Sequence, residues 1–251
     1  MFVPKLLHYT LDPTCRLVRL MCAEYGKEIE LVHIKAWRRE QDFLDVSPAG
    51  DVPVLNVDDQ LTLVGASAVI YFIEEQFGTQ PILLPTDPRM RAETRRLMDW
   101  ALTKFSDDVS RYIIEEKFIK NDRPGGSPDT SVLRAARANL TEHLAYFNYL
   151  LATRRWLAGD EMTMADFAFA AQLSSLDYLA EVPWATAPEV KDWYQRLKSR
   201  PAFRSLLLDR VVGMPASATY ADIDFWVLLH HPKLLPILKN VHKNWGLCNL
   251  A

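Results

Sequence analysis

Pro53 stands inside the run Gly-Asp-Val-Pro-Val-Leu (50–55), where the apolar pattern asks for a strand. A proline brings no amide to a sheet ladder and is kept to edges, strand starts or bulges. A cis Val52–Pro53 bond at a strand entrance reconciles the ring with the run, because X–Pro bonds are the ones that adopt cis readily. Any fold of this chain must place a strand that starts at this proline.

The neighbouring pattern narrows the choice. Residues 5–10 (KLLHYT) form a short apolar strand. Residues 14–26 then place Leu17, Val18, Leu20, Met21 and Tyr25 at helical spacing and stop at Gly26. A second strand over 28–36, with a helix between, predicts a parallel βαβ pair. Runs 52–58 and 60–64 flank Asp58-Asp59 as a hairpin, and 67–78 is a helix ending at glycine. From Asp87 the strand signals stop. Helices are expected over 87–120, 131–155, 163–181 and 187–200, with a short one after Pro201. The expected organisation is an α/β unit over 1–83, a linker at 84–88, an all-helical unit over 89–210 and an irregular tail over 211–251.

Composition bears on partners and compartment. The 251 residues carry 29 Lys and Arg against 32 Asp and Glu. Near-neutrality without a basic aromatic face argues against nucleic acid. No run of ~18 apolar residues suggests a membrane span, and no basic-then-apolar leader suggests secretion. Cys15, Cys22 and Cys248 are an odd, sparse set that suits a reducing compartment. A cytoplasmic protein is expected. No Walker loop, GxGxxG, HExxH or CxxC occurs, and the adjacent His230 and His231 are poorly spaced for one metal, so no metal is expected.

Two motifs carry a resemblance. "SPAGDVPVL" (47–55) and "LAGDEMTMADFAFA" (157–170), with Thr163 and Asp166 as a capping box, are similar to the fold signatures of the cytosolic glutathione transferase superfamily. The resemblance covers about residues 5–210. It implies a thioredoxin-like α/β domain followed by an all-α helical-bundle domain. It also implies that Val52, before the cis Pro53, would pair with the cysteinyl part of glutathione.

Against that pattern the chemistry departs. Aligned through Cys15, Arg16, Val18 and Arg19, the family's thiol-activating position falls on Asp12. A hydroxyl donates to a thiolate; an ionised carboxylate does not. Two negative charges ~4 Å apart repel by about 4 kcal/mol at an effective dielectric near 20, raising a thiol pKa by about three units. Asp12 reads instead as the cap of a helix with Pro13 at its first position. Thr10 and Cys15 remain as fallback catalytic residues, and Tyr9 and Thr14 as further hydroxyls. Gly65 and Ala66 fall where the family's Glu-Ser pair binds the γ-glutamyl end, with Ser67 keeping the serine only in a shifted register. The catalytic reading is thus open and leans against an enzyme, with an active glutathione transferase as the alternative.

What is left over suggests a binding surface. Trp37, with Arg38, follows the second strand, and Tyr220, Asp222, Asp224 and Phe225 lie on an acidic, aromatic stretch of the tail. This tail, "EEKFIK" (115–120) and the altered glutathione positions resemble a transferase-like group of bacterial division proteins that binds the tubulin-like filament protein FtsZ. The resemblance implies a homodimer, built on the arginine-rich helix from 87, that binds FtsZ filaments through Trp37 and the tail. Residues 226–251 extend past that pattern.

Overall fold

The computed structural model describes residues 3–78 and 82–221. Strand β1 (Lys5–His8) pairs in parallel with β2 (Glu30–His33) and antiparallel with β3 (Val54–Asn56), which pairs with β4 (Thr62–Val64) in a sheet ordered β2-β1-β3-β4. The Val52–Pro53 bond is cis, and β3 starts at the next residue. The Pro53 carbonyl accepts the Gly65 amide at 3.0 Å, so the proline closes the hairpin without owing the ladder a donor.

Helix α1 (Pro13–Glu24) links β1 to β2. Asp12 caps it and Pro13 occupies its first position, where a missing amide costs nothing. At its other end the amides of Gly26 and Lys27 return to the carbonyls of Ala23 and Cys22 at 3.2 and 2.8 Å, with Gly26 at φ +64°. That double closure needs a left-handed residue, which glycine adopts without a side-chain clash. Leu17, Val18, Leu20 and Met21 are fully buried. Cys15 and Cys22 are buried and unpaired.

The segment after β2 contains a feature that the sequence pattern does not announce. A single turn (Ala36–Arg38) leads into α2 (Gln41–Val46), anchored by the buried Phe43. Helix α3 (Ala66–Phe77) completes the α/β half.

The helical half opens with α4, continuous over 88–122. Asp87 caps it through the amides of Arg89 and Met90, and its Trp100–Ser110 and Glu115–Ile119 stretches take the wider winding of a π-helix. Helices α5 (Thr130–Leu151), α6 (Met164–Tyr178), α7 (Pro188–Lys198) and α8 (Arg204–Leu207) follow. Every residue of α6 is buried, which makes it the axis of the bundle. Asp166 starts it: its carboxylate accepts the Thr163 and Leu157 amides at 2.8 and 2.9 Å and the Trp193 indole at 2.8 Å. Phe169 stacks between Phe147 and Trp193.

One apolar core runs through both halves, and a buried ionic clamp joins them. Arg16 and Arg19 of α1 reach Asp209 after α8 at 3.2 and 2.8 Å. Arg16 also donates to the Thr10 carbonyl and the Ser174 hydroxyl.

Candidate functional site

The N-terminal ends of α1 and α3 and the Val52 segment meet across from α4 in an open cleft of about 690 Å³. Asp12, Val52, Gly65 and Ala66 all line it, facing Ser106, Arg111 and Glu115 of α4. Pro53 is buried behind the wall and Ser67 is exposed, and neither lines the cleft.

Within the cleft Asp12 is already committed. Its Oδ1 accepts the Cys15 amide at 2.7 Å and the Thr14 hydroxyl at 2.5 Å. Burial raises its pKa above the ordinary carboxylate value, against the pull of those donors. Thr14 Oγ1 also lies 3.4 Å from the Val52 carbonyl, but one hydroxyl has one proton, and the shorter bond takes it. The Thr14 hydroxyl is therefore spent on the Asp12 carboxylate.

The fallback activators do not reach the cleft. Cys15 is fully buried, and burial, with Asp12 beside it, pushes its thiol well above the ordinary value. It is a core residue rather than a nucleophile, because the thiolate is the reactive form. Thr10 lines a different cleft, and its carbonyl serves Arg16. Tyr9 does line the cleft, yet burial and then Asp12 hold its phenol well above its ordinary pKa.

At α3 the expected Glu-Ser pair is replaced by a bare helix start. Gly65 sits at φ +92° and gives no side-chain cap. A Cβ there would meet nothing within 4 Å, so it is the backbone angle, not space, that disfavours a glutamate. The helix still turns its first amides outward, a setting that favours an anion.

Trp37 stands on the wall between this cleft and a second one of about 500 Å³. It is half-buried, edge-on to Tyr9 and Phe118 at 5.3 and 5.5 Å, and its indole donates to Asp122 Oδ2 at 3.1 Å. Lys35 and Arg38 pair with the same carboxylate, and the Lys35 hydrogen bond leads in pulling its pKa down to about 2. Trp37 is thus partly a packing residue, while Arg38 is exposed. The sequence gives no sign that Asp122 and Phe118 meet Trp37, since both lie more than 80 residues from it.

Tyr220 overturns an expectation. It is fully buried, donates to the Leu206 carbonyl at 2.7 Å, packs edge-on to Tyr178 and lies under the Arg16 guanidinium. It closes the core and offers nothing to a partner. Asp222, Asp224 and Phe225 lie outside the described residues. Among the described residues no group of His, Cys, Asp or Glu could hold a metal ion, and no helix is long and apolar enough to cross a membrane.

Comparison with known proteins gives this geometry a context. Residues 6–81 match the family model of the glutathione S-transferase N-terminal domain and residues 96–201 that of the C-terminal domain. The chain is 41% identical over 221 residues to FtsZ-localized protein A of Caulobacter vibrioides, covering 87% of this chain and 96% of that protein. It is 28% identical over 184 residues to glutathione S-transferase GstB of Escherichia coli, covering 73% and 83%. Among solved structures, a glutathione S-transferase from Sinorhizobium meliloti superposes with a TM-score of 0.86 at 42% identity, covering 89% of this chain and all of that one. FzlA from C. crescentus superposes with a TM-score of 0.85 at 41% identity and the same coverage.

Proposed function

Because the chain belongs to the glutathione S-transferase family, its departures at the glutathione site carry the functional reading, and we propose that it is a weakly catalytic or non-catalytic member that binds FtsZ filaments as a cytoplasmic homodimer. The observation that carries this reading is the Asp12 carboxylate, spent on the α1 cap and on Thr14 at the position where the family activates its thiol. The 41% identical relative, which is FtsZ-localized, supplies the partner. The arginine-rich first turns of α4 (Arg89, Arg91, Arg95 and Arg96) support the dimer, as does the prevalence of two-fold pairing. Co-sedimentation with FtsZ filaments in GTP tests the proposal: the protein should enter the pellet with filaments and stay in the supernatant without them.

An active transferase is the second reading. It is favoured by the open cleft, with Val52 at its wall and the uncapped start of α3 lining it, a setting that favours an anion. Calorimetry with glutathione separates the two. A dissociation constant in the millimolar range, about −4 kcal/mol, fits the first, and a micromolar one the second.

A further inference from the structure

The second cleft is built by two elements, of which only the first is shared with the cleft already described. One is the Trp37 turn; the other is a short turn over 211–214 that follows α8. That turn is pinned from below by Tyr178, a buried residue of α6, whose hydroxyl accepts the Val211 amide and donates to the Met214 carbonyl, both at 2.8 Å. Gly213, at φ +76°, lets the chain reverse. The consequence is an apolar side chain held out on a fixed support. Val212 is 100% exposed, and with Leu208 at 74% it is among the most exposed large apolar residues described. A soluble chain gains nothing from fixing a valine in water, whereas a docking site gains by having its contact ordered beforehand.

The rim of this cleft is positive. Lys35 and Arg38 share one carboxylate, Asp122. Among the described residues the Arg210 guanidinium donates only to the carbonyls of Leu207 and Asp209, because the Asp209 carboxylate is taken by Arg16 and Arg19. Two lining cations, Lys35 and Arg210, with Arg38 behind them on the same single lining acid, surround an indole and a displayed valine and complement an acidic peptide with an apolar residue. We propose that this cleft docks an acidic segment of the partner protein, seating an apolar side chain between Trp37 and Val212. This deepens the filament-binding reading and rests on it.

Two substitutions in the full chain test the assignment, Arg210→Glu and Val212→Asp, since neither side chain is buried or, among the described residues, bonded to another side chain. Two readouts are used: co-sedimentation with FtsZ filaments, and fluorescence anisotropy of a fluorescein-labelled octapeptide, Asp-Glu-Asp-Leu-Phe-Asp-Glu-Asp. Both substitutions should weaken peptide and filament binding by about tenfold or more with an unchanged melting temperature, and peptide binding should fall as salt rises. Filaments that bind all three proteins equally overturn the docking and leave the filament reading standing. If the peptide binds and responds to the substitutions while filaments do not bind, the docking stands and the filament reading falls. A peptide that does not bind, or binds regardless of the substitutions, overturns the docking. So does a Phe225→Asp variant that binds the peptide more tightly, which would assign the cleft to the chain's own acidic stretch.

Discussion

Arg19 holds Asp209 in a two-point bond, with its guanidinium nitrogens 2.9 and 2.8 Å from the two carboxylate oxygens, 190 residues apart in the chain. Arg16 reaches the same carboxylate, so one acid is the shared ion-pair partner of two buried cations of α1. Removing it leaves both charges desolvated and unpaired. Asp209→Ala should therefore lower unfolding free energy by about 3–5 kcal/mol, read from urea denaturation. A loss below ~1 kcal/mol would show that water reaches the arginines.

The Asp12 argument predicts an asymmetry between two substitutions. Asp12→Ser keeps an acceptor for the Cys15 amide, so stability should change little, whereas Asp12→Ala should cost ~1 kcal/mol of cap. The serine also removes the carboxylate that would repel a thiolate and frees the Thr14 hydroxyl. Any glutathione conjugation rate should rise in Asp12→Ser. If the rate falls instead, Asp12 takes part in the chemistry and the repulsion argument is wrong.

What the sequence shows and what it hides divide along chain distance. Pro53, the Asp12–Pro13 cap and the Thr163–Asp166 box could be read directly, because each is completed within a few residues. Helix α2 could not, because its six residues span under two turns and carry one buried anchor, Phe43. In the candidate site, Asp12, Val52, Gly65 and Ala66 do converge on one cleft. The roles of Arg16, Arg19 and Trp37 were hidden, since Asp209 and Asp122 come from remote segments. The burial of Tyr220 is hidden for the same reason: its sequence neighbours are small or acidic and mark no core position, but its neighbours in space are Tyr178, Leu206 and Arg16.

The burial of Tyr220 anchors the 211–221 stretch to the folded core. Tyr220→Ala should cost about 3–5 kcal/mol, as for other large buried rings. Tyr220→Phe should cost about 1 kcal/mol, for the lost bond to the Leu206 carbonyl. Melting curves that match wild type for Tyr220→Ala would show that this stretch is detachable after all.

His8 predicts how stability responds to acid. It is buried on β1, edge-on to His33, and its Nδ1 has no hydrogen-bond partner among the described residues. Burial, then the charges of Arg19 and His33, push its pKa down from 6.5 to about 4. Above pH 6.5 the ring is neutral in both states and costs nothing. Between pH 6.5 and 4 the unfolded chain holds a proton that the folded chain refuses, so stability falls as pH falls through this window. A shift of this size is worth about 3 kcal/mol by the bottom of the window. His8→Gln removes the titration. Urea midpoints at pH 7.5 and 4.5 should therefore differ less for the variant than for wild type. Equal acid losses in the two proteins would place the sensitivity elsewhere.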